Sequence, residues 1–130
     1  MNKEITIGKK TLKMASNALT PILYRQIFKK DFLKEITGLI SLKDKKAKDY
    51  TEQDINDVTS RSEAFGRLAF VMAKQSELEK ASELVKLTEI DYFEWLSNFD
   101  AQSFTNASTM TEILKLWKGN AEDSQVEAKN

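Results

Sequence analysis

The chain has 130 residues, 20 Lys/Arg balanced by 20 Asp/Glu, and neither cysteine nor histidine. That length suits one domain, which buries roughly two-thirds of the surface its unfolded chain exposes. The missing residue types exclude disulfides, thiolate or His-based metal sites and a Ser-His-Asp triad, so the chain reads as a non-enzyme without metal or cofactor.

The opening MNKEITIGKK has no signal-peptide core, and no stretch approaches the roughly 18 apolar residues that span a bilayer. A soluble intracellular protein is expected. Residues 4–14 alternate around Gly8-Lys9, with Ile5 and Ile7 before the turn and Leu12 and Met14 after it. This pattern predicts a short hairpin, which is marginal alone and must pack on helices or pair with another chain.

Thr20-Pro21 reads as an N-cap followed by proline at the first helical position. Leu19, Ile22, Leu23 and Ile27 then recur at helical spacing, and Asp31 can re-cap the chain before Phe32, Leu33, Ile36, Leu39 and Ile40. Helix is expected over 20–40, broken near Lys30, followed by a charged loop over 42–50. Thr51-x-x-Asp54 predicts a short helix holding Ile55 and Val58. A separate helix over 61–76 has Phe65, Leu68, Ala69 and Met72 as its stripe, with Phe70 opposite. Residues 77–87 continue that helix or turn away.

Thr88 is expected to cap Glu89–Phe99, whose early acids suit the helix dipole. Ser108 or Thr109 is expected to cap a last helix carrying Met110, Ile113, Leu114 and Trp117 and stopped by Gly119. Residues 120–130 form an expected disordered polar tail. The fold class is therefore mainly α: one bundle of about five helices over 1–119, with a short N-terminal β-hairpin.

Charge and apolar surface are both unevenly distributed. Residues 1–49 hold 12 Lys/Arg against 5 Asp/Glu, a net +7; residues 50–130 hold 8 against 15, a net −7. Two solvated faces would explain this. So would self-association, with the basic half of one copy against the acidic half of the next, giving a ring or spiral. On a wheel at 100° per residue, the apolar arc of Glu89–Phe99 is about 220° wide, against roughly 100° for one-sided packing. Either this helix is buried on two sides, or its Tyr92/Trp95/Phe99 flank meets another chain. Phe70 and Leu116 are further apolar residues outside their helices' stripes, and Phe104 is one in the connection DAQSFTNAS. Together, Phe70, Tyr92, Trp95, Phe99, Phe104 and Leu116 are the candidate partner-binding residues.

The order ITIGKKTLKM, NALTPILYRQIFKKDFL, FGRLAFVMAK, DYFEWLSNF and EILKLWKGN resembles the tail assembly chaperones of long-tailed phages of Gram-positive hosts, in particular the tape measure chaperones of lactococcal siphophages. That family commonly has a glycine after the phenylalanine of its YRxxFG-like stretch, where Lys29 stands here. The resemblance implies a helical protein of the host cytoplasm, absent from the mature virion, present in many copies and self-associating. It implies binding to apolar helical segments of the tape measure protein, keeping them soluble while tail tube subunits polymerise around them. Many family members also exist in a longer, frameshifted form. No nucleic acid or membrane partner is implied.

Two other function classes fit parts of the sequence. Lys9, Lys10, Lys13, Arg25, Lys29 and Lys30 make a basic N-terminal region, as in a small helical nucleic-acid-binding regulator, although the acidic half would repel phosphate. A carboxylate-based, metal-dependent phosphohydrolase is less well supported, because the acids are scattered over helix surfaces.

Overall fold

A computed structural model of the chain describes residues 2–35 and 51–129, with the backbone alone over 53–62 and 119–129. The architecture is mainly helical with an N-terminal two-stranded antiparallel sheet. Strands β1 (Asn2–Ile7) and β2 (Lys10–Ala15) pair in the register Ile5↔Leu12 and Ile7↔Lys10. The connection is thus the two-residue turn Gly8-Lys9. Gly8 has φ 62°, the backbone glycine supplies at the first position of a II′ hairpin turn. A Cβ there would also lie 3.1 Å from the Ser103 hydroxyl. Ile5, Ile7 and Met14 are buried on the inner face, while Thr6 and Thr11 pair at 3.0 Å on the outer one.

Helix α1 (Thr20–Phe28) begins one residue earlier than the sequence suggests. Leu19 is its N-cap, and Thr20 is already helical and fully buried. The Thr20 hydroxyl donates to Gln75 Oε1 at 2.6 Å. Asn17 precedes the cap in a local turn, its Oδ1 accepting from the Leu19 amide at 2.9 Å and from Gln75 Nε2 at 2.8 Å. A buried hydroxyl costs free energy unless paired, so this network latches the entry of α1 onto the middle of the fold.

The break expected near Lys30 occurs one residue earlier. Lys29 ends α1 in the left-handed region (φ 58°, ψ 33°), its amide donating to Arg25 O. Asp31 Oδ1 then accepts from the Leu33 amide at 3.0 Å and starts α2, described over 32–35. The expected continuation through Ile36, Leu39 and Ile40 and the loop over 42–50 lie outside the described residues.

Helix α3 (Glu52–Glu77) joins what the sequence suggested were two helices, over 51–58 and 61–76. Residues 64–73 are all buried, so this stretch is covered on every side. A helix buried all round needs no single stripe. Phe70, opposite the expected stripe, is therefore as deeply buried as Leu68 and Met72. Around α3 lie the hairpin, α1, α5 (Glu89–Leu96) and α6 (Ala107–Lys129), with β1 also packed on α6; the short α4 (Ala81–Leu84) lies between α3 and α5 in the chain. The described residues thus contain six helical segments, one more than the expected five.

Thr88 caps α5 through a reciprocal capping box with Asp91, as the sequence indicates. The cap of α6 is Asn106 rather than Ser108 or Thr109. Its Oδ1 accepts from both of their amides, at 2.8 and 3.3 Å. Gly119 does not stop α6, and the stretch expected to be a disordered tail is helical to Lys129. One interior glycine costs about 1 kcal/mol relative to alanine, and the helix formers Ala121, Glu122, Gln125, Glu127 and Ala128 offset it.

Candidate functional site

Every aromatic residue among the described residues belongs to one connected network of ring contacts. It runs from Trp117 through Phe32, Tyr24 and Phe28 to Phe70 and Tyr92, then through Trp95 to Phe99 and Phe104. Centroid separations of 4.7–6.4 Å and mostly tilted or edge-on planes give each pair about 0.5–1.5 kcal/mol beyond its area burial. The surplus of aromatic residues is thus largely a core feature.

This network changes the weight of the candidate residues. Phe70, Tyr92, Phe104 and Leu116 are all buried in the hydrophobic cluster; Phe70 and Leu116 lie deepest, while Tyr92 and Phe104 keep an edge on the cleft described below. Trp95 and Phe99 are half-buried, packed on that cluster, and Lys10 Nζ sits 5.5 Å from the Phe99 ring centroid. The 220° arc of α5 is explained by burial on its Tyr92/Trp95 side. The opposite edge is left in water: Ile90 is 67% exposed and Phe93 59%. Neither was singled out as a partner residue, although both lie on that arc. Which edge faced α3 was not encoded in α5 itself.

Beside Phe93 lies an open cleft of about 360 Å³. Tyr92, Leu96, Phe99 and Phe104 make its apolar walls, and Glu63 and Asp100 stand at its acidic rim. Gly66 sets its depth: a Cβ at that position would lie 2.9 Å from the Tyr92 hydroxyl. The glycine therefore lets the Tyr92 end of α5 settle against α3. Burial pushes the Tyr92 hydroxyl's pKa above its ordinary value. Ile90, Phe93 and the cleft together form an apolar surface that leans against an aromatic core.

A second site, missed from sequence, is polar and buried. Arg67, on α3, donates from Nε to the Tyr24 hydroxyl at 2.8 Å and from its guanidinium to Glu35. Tyr24 donates to the other Glu35 oxygen at 2.6 Å. Glu63 stands 3.7 Å from Arg67 on the outer side. Burial and the bond to Glu35 hold Tyr24 protonated well above its usual range. Burial alone would lower the Arg67 pKa, but Tyr24 and Glu35 outweigh it and the net shift is upward. All of these groups are mutually satisfied, and the arrangement ties α1 and α2 to α3. An arginine inside the apolar run FGRLAF was the available signal, because such a charge must find a buried partner.

The cations Lys9, Lys10, Lys13, Arg25, Lys29 and Lys30 are all exposed, spread over the hairpin and α1. Among the described residues no group of three or more Asp, Glu, His or Cys is gathered as a metal would require, and no helix is long and apolar enough to cross a membrane. No family model, curated protein or solved structure matches the chain.

Proposed function

We propose that this chain is a phage tail assembly chaperone that binds apolar helical segments of the tape measure protein through the outer edge of α5 and the cleft beside it. One observation supports this reading beyond the resemblance in sequence: Ile90 and Phe93 are more than half exposed beside a cleft with apolar walls. Such a surface fits the apolar face of a helix laid along α5. Binding in this mode is reversible, which a chaperone later displaced by tail tube subunits requires. Many weak copies along one long client give the needed coverage by multivalency. The protein would act in the host cytoplasm and leave before the virion is complete.

Titration of the protein with synthetic tape measure helices, followed by the fluorescence of half-buried Trp95, tests the reading. Fully burying a Phe contributes about 1.5–3 kcal/mol, so Phe93→Asp should weaken binding by at least about tenfold. Phe93 lies outside the core, so circular dichroism of the variant should match the wild type. Undiminished binding by a folded Phe93→Asp protein would falsify the site.

A further inference from the structure

We propose that the helices this site takes carry Lys or Arg beside their apolar stripe, and that the cleft next to Phe93 seats one of those basic side chains. This client chemistry deepens the function proposed above and depends on it. Ile90 and Phe93 supply the apolar contact on α5. An exposed carboxylate stands one helical turn from each: Glu94 is four residues after Ile90, and Glu89 four residues before Phe93. Glu63 and Asp100 add two more at the rim of the cleft.

Little within the chain balances these charges. Residues 87–114 hold five acids, Glu89, Asp91, Glu94, Asp100 and Glu112, and no Lys or Arg. Glu89, Glu94 and Asp100 make no ion pair among the described residues. Arg67 lies 3.7 Å from Glu63, but its guanidinium is already committed to Tyr24 and Glu35. Lys10 Nζ rests 5.5 Å from the centroid of Phe99, one of the cleft walls, so that ring already holds a cation on its outer side.

Size and polarity decide what enters the cleft. A helix with its side chains is about 10–12 Å across, so a cleft of about 360 Å³ takes a side chain and not a second helix. Its walls are the apolar Tyr92, Leu96, Phe99 and Phe104, and its mouth is acidic. Lys and Arg match both parts, with an apolar stem for the walls and a charged head for the rim. A helix laid along α5 also removes water from Glu89, Glu94 and Asp100. Basic neighbours offset that desolvation, whereas a neutral client leaves the carboxylates without partners and an acidic one adds repulsion. The apolar stripe therefore supplies the contact area, and the charges select which helix is accepted.

Three synthetic amphipathic helices of about 18 residues, long enough to be helical alone, test this on the full chain. They share one Leu/Phe stripe and carry Lys, Gln or Glu at the positions flanking it; Trp95 fluorescence reads the binding. At low salt the Lys peptide should bind about fivefold tighter than the Gln peptide, and the Glu peptide about fivefold weaker. At about 0.5 M salt the three should agree within about twofold. Glu94→Lys/Asp100→Lys, changed at two exposed positions, should reverse the order. Replacing the peptide lysines by Gln one at a time should lose most of the preference at one position, and Asp100→Asn should remove that position's effect. Equal affinities at low salt, or an order unchanged in the reversed protein, overturns the charge selection. A preference spread evenly over the lysines overturns the seating in the cleft. In either case, Gln-peptide binding that falls with a folded Phe93→Ala protein keeps the apolar site. If none of the three peptides binds the wild type, the site and the selection fall together.

Discussion

Lys29 offers a test of the backbone strain at the end of α1. It is the one non-glycine residue with positive φ among the described residues, at φ 58° and ψ 33°. A side chain with a Cβ costs about 1–2 kcal/mol in that region. Glycine avoids this cost but loses about 0.5–1 kcal/mol through the greater freedom of its unfolded chain. Lys29→Gly should therefore stabilise the fold by about 0.5–1 kcal/mol, reduced by the few tenths lost with the cation at a helix C-terminus. Lys29→Ala loses the same charge and keeps the strain, so the glycine–alanine difference isolates the backbone contribution at about 1 kcal/mol. For a chain of this length that is about 4 °C in Tm. Urea denaturation followed by circular dichroism, with the slope m unchanged across the series, measures it. Equal stability of the glycine and alanine proteins would refute the argument.

Further tests concern the packing of α3. Gly66→Ala should cost about 1–2 kcal/mol, because its Cβ meets the Tyr92 hydroxyl at 2.9 Å. In a Tyr92→Phe background the same change should become neutral or stabilising by up to about 1 kcal/mol, since alanine suits a helix interior better. A double-mutant cycle by denaturation reads the coupling directly. Arg67→Met should cost about 3 kcal/mol by removing the guanidinium that donates to both Tyr24 and Glu35, and the Arg67→Met/Glu35→Leu double variant should cost less than the single one. Tyr24 and Tyr92 both have folded pKa values above their unfolded value of 10.0. Their contribution to stability is thus complete below pH 10 and lost as pH rises above it toward the folded values. Absorbance titration should show the tyrosinate signal of these two residues appearing together with unfolding, and Tyr24→Phe should flatten the alkaline loss.

Local signals were the most legible. Gly8-Lys9 between alternating apolar residues specified the hairpin, Thr88 specified the start of α5, and Asp31 marked a restart, because each depends on atoms within a few residues. The extent of α3 was not legible: no apolar stripe links Val58 to Phe65 across Thr59–Ala64, so one helix read as two, and only encirclement by the hairpin, α1, α5 and α6 shows why its all-round apolar run stays helical. The same encirclement absorbed Phe70, Tyr92, Phe104 and Leu116, residues that looked surplus when each helix was judged as packing on one side. The excess apolar arc of α5 was visible in the sequence. Its exposed edge was not, because that depends on Gly66 admitting Tyr92 and so fixing the rotation of α5. Thr20 misled for a related reason: its hydroxyl satisfies Gln75, 55 residues away, so it serves the tertiary contact and not the helix start.

The most direct measurement is the soluble fraction of the tape measure protein when it is co-expressed with this chain. The wild type should keep it in solution, and a folded Ile90→Asp/Phe93→Asp protein at equal abundance should leave it in the pellet. A client that stays soluble beside the double variant, or precipitates beside the wild type, would contradict the role assigned to α5.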